Sequence, residues 1–244
     1  MLDIKGLTRR FGSKTAVDKI TFSVARGEVV GFLGPNGAGK STTMRMIAGV
    51  LEPDEGDVLL EGHSIVTNRR DAQANLGYLP EGAPLYLDMT PPEFLRFVGS
   101  ARGVAKATLG DAVDRVTADA RIHSVSAQTI RSLSKGYRRR VGLAAALIHD
   151  PPVLILDEPT DGLDPNQKRA VRALIARMAP YKAIVISTHT LEEVPAMCSR
   201  AIVVDKGRIV ADETPEGLAA LATDGGGLEA AFRDLTDQSV EAAA

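Results

Sequence analysis

The octapeptide GPNGAGKS at residues 34–41 restricts the fold more than any other part of the chain. It fits the pattern G-x-x-x-x-G-K-[ST], follows the apolar run EVVGFL (28–33) and leads into the helical pattern STTMRMIAGV. Its glycines let backbone N–H groups close around phosphate oxygens, and the start of the helix adds a favourable dipole. Lys40 reaches the terminal phosphates, and Ser41 offers a hydroxyl to Mg²⁺. A glycine-rich turn that binds nothing is the alternative, but the complete pattern between a strand and a helix favours a phosphate-binding loop.

The other apolar runs place this loop in an α/β fold. VLIL (153–156) and AIVIS (183–187) are compact, and each is followed by a loop and then a helical pattern, as the run before the phosphate loop is. This alternation predicts a mostly parallel sheet covered by helices. The first 25 residues and GDVLLEG (56–62) instead alternate with polar residues, which predicts an antiparallel accessory sheet.

Two further segments have helical patterns. Between Pro84 and Asp150, stretches such as PPEFLRFVGSARG and LGDAVDRVTADARI recur without a convincing strand, which predicts a helical insertion. The last residues, DGGGLEAAFRDLTDQSVEAAA, are typical of a glycine linker, a short amphipathic helix and a loose tail.

Composition limits the kinds of partner. The 29 Lys and Arg are balanced by 31 Asp and Glu, giving a net charge of −2, so a protein that depends on the phosphate backbone of nucleic acid is not expected. Asp3 and Lys5 interrupt the place where a signal peptide would be apolar, and no run of 18 apolar residues occurs, so neither export nor a membrane span is predicted. The lone Cys198 fits a reducing compartment, and more simply a buried thiol.

A second group of chemical residues follows the strand 153–156. Asp157 and Glu158 end this strand, where a buried carboxylate pair requires a cationic partner such as a metal with its waters. In that interpretation Asp157 holds Mg²⁺ and Glu158 acts as general base on the attacking water. A pair of carboxylates matched by arginines is the structural alternative.

Two more residues are candidates because of their positions. His189 follows the strand 183–187, and alone it would more often be a structural histidine. Because ligands bind at the carboxyl ends of parallel strands, Ser41, Asp157 and His189 are predicted to converge there. Asp164 with Pro165 is a helix start, whatever other role Asp164 has.

The motifs GPNGAGKST, SLSKGYRRRVGLAAALIHDPPVLILDEPTDGLDP and STH occur in the order typical of ATP-binding cassette (ABC) ATPases. The chain resembles this family over residues 1–215. The resemblance implies a P-loop NTPase core with a mostly parallel sheet, an antiparallel accessory sheet and a helical subdomain at about 84–150, followed by a C-terminal helical tail at 216–244. It also implies an ATPase subunit of a membrane transporter. Two copies, or one copy and a related subunit, would face head to tail around two ATP molecules and move separate membrane-spanning subunits.

The resemblance assigns the cation-rich stretch RSLSKGYRRR (131–140) as well. LSKGY (133–137) occupies the position of the ABC signature, where Ser134 and Gly136 at a helix N-terminus would bind the γ-phosphate of ATP held by the opposite subunit. The apolar residues that follow at helical spacing predict a buried face. Arg138 and Arg139 are then expected to be mostly solvated or intersubunit charges.

The resemblance implies a full set of site residues, with ATP and Mg²⁺ as cofactors. Catalysis is assigned to Lys40, Glu158 and His189. Mg²⁺ is assigned to Ser41, Glu81 and Asp157. ATP contacts are assigned to Phe11, which would stack on adenine, and to Gly34, Pro35, Asn36, Gly37, Ala38, Gly39, Lys40, Ser41, Thr42, Ser134, Lys135, Gly136, Tyr137 and Asp164.

Three residues depart from the commonest pattern of the family. Lys135 and Tyr137 replace the usual Gly and Gln of the signature, and Glu81 in GYLPEGAPLY stands where a glutamine is usual. These variants resemble a branch of exporter ATPases associated with transport of drugs or polysaccharides, copper-site maturation or gliding motility. An exporter subunit on the cytoplasmic face of the cell membrane is therefore expected.

Two other classes are alternatives. A soluble ABC ATPase acting on ribosomes or nucleic acid would carry two cassettes or long coiled-coil insertions, and neither pattern is present. An assembly module that binds ATP without hydrolysing it is disfavoured by Glu158 and His189.

Overall fold

The computed structural model describes residues 1–223 and 225–241, the last five of these by backbone alone. In that part of the chain the strands are β1 (Leu2–Phe11), β2 (Lys14–Val24), β3 (Val29–Leu33), β4 (Glu55–Leu60), β5 (His63–Ser64), β6 (Leu76–Leu79), β7 (Val153–Asp157), β8 (Ala183–Ser187), β9 (Arg200–Asp205) and β10 (Arg208–Glu213). The α-helices are α1 (Lys40–Ile47), α2 (Arg69–Ala74), α3 (Pro91–Ala101), α4 (Leu109–Asp119), α5 (Lys135–Leu147), α6 (Pro165–Met178), α7 (Val194–Met197), α8 (Pro215–Ala220) and α9 (Gly227–Glu241).

The central sheet has the strand order β10-β9-β3-β8-β7-β6, and all its pairs are parallel except β9 with β10. Every residue of β3, β7 and β8 is buried, because helices cover one face of this sheet and the accessory sheet lies against the other. The three strands predicted from sequence are therefore the middle of the sheet. Their carboxyl ends lie side by side, which sets the position of the loops that follow them.

The outer strands β6, β9 and β10 go beyond the sequence prediction. β6 has only four residues and contains Gly77, where a Cβ atom would collide with the Ala146 carbonyl of α5. A short strand with a glycine carries a weak local signal, and the close approach of α5 is a tertiary requirement.

The accessory sheet is antiparallel, with the strand order β2-β1-β4-β5. It contributes alternate residues such as Leu2, Ile4 and Val58 to a buried layer shared with Phe32 of β3 and Met44 of α1. The predicted α/β class, with a mostly parallel sheet and an antiparallel accessory sheet, is confirmed.

The segment 84–150 contains α3, α4 and α5, which contact one another. α3 begins with a capping box in which Thr90 and Glu93 exchange hydrogen bonds, followed by Pro91 at its first position. The signature stretch at the start of α5 is therefore carried by a helical layer beside the parallel sheet.

The chain ends in α8 and α9. Ala230 and Ala231 of α9 are buried, and Phe232 packs against the main core, so this helix is attached to the body of the protein. The predicted loose tail after it, residues 242–244, lies outside the described residues, as does Asp224 of the predicted linker. Within the described ranges, no helix combines the length and the apolar character needed to cross a membrane.

Candidate active site

The phosphate loop runs from the end of β3 to the start of α1. Gly39 is the N-cap residue of α1 with φ 107°, and a Cβ atom there would lie 2.5 Å from the Ala16 carbonyl oxygen. Gly37 also has a positive φ of 83°. Only glycine adopts these conformations at no steric cost, so the motif builds a backbone loop whose N–H groups surround a space for an anion.

Lys40 is the first residue of α1, directly after this loop, and is 8% exposed. Its Nζ atom donates to the carbonyl oxygens of Gly34 at 2.6 Å and Pro35 at 3.1 Å. Burial lowers the pKa of Lys40, while the carboxylates of Glu158 and Asp157 oppose that shift. The ammonium is thus held at the loop and faces a region of negative charge.

Two clefts adjoin at the loop and share Asn36, Lys40 and Ser41. The first has a volume of about 310 Å³ and is lined by Phe11, Lys14, Ala16, Asn36, Gly37, Gly39, Lys40, Ser41 and Thr42. The second has a volume of about 240 Å³ and is lined by Asn36, Lys40, Ser41, Glu81, Asp157, Glu158, Asp161 and His189. The first cleft places an aromatic ring beside the loop, and the second collects the carboxylates and the histidine.

Phe11 ends β1 and is half exposed, with the guanidinium of Arg9 5.1 Å from its ring centre. An exposed phenyl ring at the rim of the first cleft is available for stacking on a flat ligand. Phe11 thus shares this cleft with the residues of the phosphate loop.

Asp157 and Glu158 stand together at the end of β7, as the sequence predicts. Asp157 is 3% exposed, and the hydroxyl of Ser187 on the neighbouring β8 donates to its carboxylate. Glu158 has a left-handed backbone with φ 53°, a conformation that costs a non-glycine residue about 1–2 kcal/mol. Its N–H donates to the Ser187 carbonyl oxygen at 3.1 Å and to the Ser187 Oγ at 3.2 Å, so surrounding contacts hold the strained turn.

His189 follows β8 and meets Glu158 in the second cleft. Its Nδ1 atom lies 2.8 Å from the Glu158 Oε1 atom. Burial raises the pKa of Glu158, and the hydrogen bond and charge of His189 oppose that rise. A carboxylate with a raised pKa beside an imidazole is suited to accept a proton from a bound water.

Glu81 lies in the loop after β6 and lines the same cleft, so the structure brings it to Ser41 and Asp157. Its backbone is fixed by Arg139 of α5, which donates to the carbonyl oxygens of Pro80 at 2.6 Å and Glu81 at 2.7 Å. The same guanidinium donates to the carbonyl oxygens of Asp157 and Glu158.

The prediction that Arg139 is a solvated or intersubunit charge is wrong. Arg139 is 5% exposed and lies under the second cleft, while its neighbour Arg138 is partly buried. The apolar spacing of α5 describes one face of the helix, but a guanidinium on a long stem reaches carbonyl oxygens that belong to two distant segments.

The signature residues Ser134, Lys135, Gly136 and Tyr137 line neither cleft. Ser134 is the N-cap of α5 and accepts a hydrogen bond from the Tyr137 N–H, and Lys135 forms an ion pair of 2.8 Å with Asp161. A Cβ atom at Gly136 would meet the end of the flexible Gln167 side chain of α6, which would have to move. Ser134 and Lys135 are exposed, Gly136 is buried, and the ion pair of Lys135 joins this helix start to Asp161, which lines the second cleft.

Asp164 and Ala38 are two more predicted residues that line neither cleft. Asp164 is the N-cap of α6, where its side chain accepts from the Gln167 N–H at 2.9 Å, and it lines neither cleft. Ala38 is buried beneath the phosphate loop. Three cleft residues were missed, namely Lys14, Ala16 and Asp161, since each lies in a loop or strand end whose neighbours are set by tertiary contacts.

No group of three or more His, Cys, Asp or Glu side chains in the described ranges forms a ready metal centre. Ser41, Glu81 and Asp157 nevertheless offer one hydroxyl and two carboxylates to the same cleft. Mg²⁺ prefers oxygen ligands, and it usually binds through one or two carboxylates together with waters and substrate phosphates. The donor set fits a magnesium ion held jointly with a nucleotide.

A glycine-rich loop at the end of one parallel strand, facing the carboxylates and histidine at the ends of the next two, defines a nucleoside triphosphatase of the P-loop class. The family model described as "ABC transporter" matches residues 17–161. The chain belongs to the ABC transporter family.

Curated relatives share most of this chain. Nod factor export ATP-binding protein I of Ralstonia nicotianae is 39% identical over 219 residues, which are 89% of this chain and 68% of that relative. The uncharacterized ABC transporter ATP-binding protein YhcH of Bacillus subtilis is 38% identical over 213 residues, 86% of this chain and 68% of that relative.

Solved structures agree in fold. An ATP-binding subunit of an ABC transporter superposes with a TM-score of 0.88 at 28% identity, covering 96% of this chain and 99% of that one. CbiO1 of Clostridium perfringens, part of the transporter complex CbiONQ, has a TM-score of 0.77 at 28% identity and covers 90% of each chain. The protein is thus an ATP-binding, ATP-hydrolysing subunit of an ABC transporter.

Proposed function

We propose that this subunit drives an exporter, with Glu158 as the general base for ATP hydrolysis. The observation that supports the catalytic role is the contact between Glu158 and His189 in a cleft that also contains Lys40. The exporter assignment is supported by relatives whose printed names include export and by the variant signature with Lys135 and Tyr137.

In this proposal the phosphate loop binds the β- and γ-phosphates of ATP, and Lys40 turns from the loop carbonyls to the terminal phosphate. Glu158 accepts a proton from the attacking water, and His189 holds the Glu158 carboxylate through its Nδ1–H. Ser41, Asp157 and Glu81 would hold Mg²⁺, which would supply positive charge beside the transferring phosphate. Phe11 stacks on the adenine.

The signature residues complete a second chain's site. Ser134 and Gly136 stand at the N-terminus of the 13-residue helix α5, where free N–H groups and the helix dipole favour an anion. They line neither cleft of their own chain, which supports a head-to-tail pair in which each signature meets the ATP of the other chain. Lys135, Tyr137 and Asp164 belong to the same shared surface.

The proposed partners are separate membrane-spanning subunits, with this chain on the cytoplasmic face of the cell membrane. An exposed aromatic pair supports a docking surface on the helical insertion. Tyr86 is 55% exposed and Phe97 is 46% exposed, and their rings meet edge to face at 5.1 Å. Exposed aromatic groups next to the Glu81 loop fit a partner whose movement follows the nucleotide site.

The test is the ATPase activity of the purified chain with and without Glu158→Gln. The variant is expected to bind ATP as the parent does and to lose at least ~10²-fold in kcat, because the general base is removed. Parent-like turnover in this variant would refute the catalytic assignment.

The shared site has its own test. Specific activity of the parent is expected to rise with protein concentration as pairs form. Mixing Glu158→Gln chains with Ser134→Arg chains concentrates both defects in one site and leaves the other site intact, so the mixture should be more active than either variant alone. A mixture no more active than its components would contradict sites shared between chains.

A further inference from the structure

Arg139 is a buried cation whose guanidinium donates hydrogen bonds to backbone carbonyl groups. Its Nη1 atom donates to Pro80 and Glu81, and its Nη2 atom donates to Asp157 and to Glu158 at 2.7 Å. In the described part of the chain it forms no ion pair with a carboxylate. The Asp157 and Glu158 side chains therefore remain available to the cleft while their backbone is held.

The four acceptors belong to two loops that meet at the nucleotide site. Pro80 and Glu81 follow β6, Asp157 is the last residue of β7, and Glu158 follows that strand. The planar guanidinium fork spans both segments at once, which a single ammonium group does not do. Arg139 is thus the link between the Glu81 loop, the catalytic carboxylate and α5.

The backbone of Glu158 needs such a link. Its positive φ of 53° is an unfavourable conformation for a glutamate, and two neighbours hold it in place. Ser187 binds the N–H of Glu158 from β8, and Arg139 binds its carbonyl oxygen from α5. We expect that loss of either contact would let the peptide relax and turn the carboxylate.

We propose that Arg139 is a positioning residue that holds Glu158 in its reactive orientation and connects it to the signature at the start of α5. Arg139 follows the N-cap Ser134 by five residues on one helix. A displacement of that helix when another chain's ATP reaches the signature passes through the guanidinium to the backbone of Glu158 and Glu81. The connection to the signature rests on the proposed function, whereas the contact with Glu158 does not.

Lys182 offers a matched control. It is also a buried cation, 8% exposed, and its Nζ atom donates to the Pro151 carbonyl oxygen and to Asp150, both at 2.6 Å. These acceptors precede β7, at the end of the strand opposite to Glu158. Lys182→Gln removes a buried cation that contacts the segment before β7 and lines neither cleft.

The experiment compares Arg139→Gln, Arg139→Lys and Lys182→Gln in the full chain, below the unfolding temperature of each. Arg139→Gln is expected to lower kcat by about 10- to 100-fold, as small misplacements of catalytic groups do, with KM for ATP within about 3-fold of the parent. The kcat of Arg139→Lys should lie between those of the parent and Arg139→Gln. Lys182→Gln should keep kcat within about 3-fold of the parent. In chains that also carry Glu158→Gln, Arg139→Gln should not change the extent to which two chains pair in the presence of MgATP. Sedimentation measures this pairing.

Parent-like kcat for Arg139→Gln, an equal loss in Lys182→Gln, or a KM that rises as much as kcat falls would overturn the positioning role. If Arg139→Gln does not fold, Arg139→Lys decides: a kcat at least about 3-fold below the parent at unchanged KM supports the role, and a parent-like kcat refutes it. Failure of the proposed function is recognised separately, since the parent itself would then be inactive or insensitive to Glu158→Gln.

Discussion

The Nδ1 atom of His189 lies 2.8 Å from the Oε1 atom of Glu158, within hydrogen-bond distance. Burial raises the pKa of Glu158 and His189 opposes that rise. His189→Ala should therefore raise the pKa of Glu158 further. A base works only when deprotonated, so the acidic limb of the kcat/KM profile should move to higher pH.

The profiles of parent and His189→Ala give the measurement, and the residual activity of Glu158→Gln, with and without His189→Ala, gives the control. An acidic limb that stays in place or moves to lower pH would show that His189 does not control Glu158.

Lys40→Ala should weaken ATP binding itself. The change removes a cation from the phosphate loop and leaves Glu158 in place. Hydrogen bonds to charged groups contribute about 1.5–3 kcal/mol, so the Kd for ATP should rise about 10- to 100-fold. Calorimetric titration measures this, with Lys106→Ala at an exposed position of the insertion as control. Unchanged affinity would contradict a phosphate contact for Lys40.

Glu81→Gln should strengthen binding of ATP in the absence of Mg²⁺. Glu81 shares the cleft with Asp157 and Glu158, and its negative charge repels a nucleotide that carries no metal. With Mg²⁺ present the affinity should stay within about 1 kcal/mol of the parent. Titrations with and without EDTA provide the measurement, and Asp111→Asn on α4 is the control. Equal metal-free affinity of parent and Glu81→Gln would place Glu81 outside the metal and phosphate contacts.

Glu193→Gln should lower the free energy of unfolding. Glu193 is 1% exposed, and its side chain connects its own segment by hydrogen bonds to the loop after β7 and to α6. It accepts hydrogen bonds from Thr160 at 2.5 Å and Lys168 at 3.1 Å, and from Arg172 at 3.4 Å. Loss of the charge leaves two cations poorly matched, at a cost of about 1–3 kcal/mol in the free energy of unfolding. Urea unfolding at neutral pH measures this loss.

The direction in which this loss of stability changes with pH follows from the pKa of Glu193. Burial alone would raise the pKa of Glu193, but the hydrogen bonds from Thr160 and Lys168 and the charges of Lys168 and Arg172 hold it below its ordinary value of 4.5. Its contribution is therefore complete above that value and is lost as the pH falls through the lower pKa of the folded protein. The difference between parent and Glu193→Gln should shrink in acid, and a difference that grows there would be inconsistent with this account.

Local sequence determined those parts of the site whose chemistry depends only on the residue types and on their spacing along the chain. The phosphate loop could be predicted because Gly37 and Gly39 are needed for backbone conformations and Lys40 follows directly. Asp157, Glu158 and His189 could be placed at one edge because the ends of parallel strands share that edge. The cap of α6 at Asp164 was equally local.

Tertiary structure alone decided what surrounds those residues. The left-handed turn at Glu158 depends on Ser187, 29 residues away in sequence, and the buried position of Arg139 depends on carbonyl groups that follow β6 and β7. Backbone carbonyl oxygens are present at every residue, so no sequence pattern marks which of them a buried guanidinium will meet. Contacts of this kind exist only after α5 has packed against the sheet.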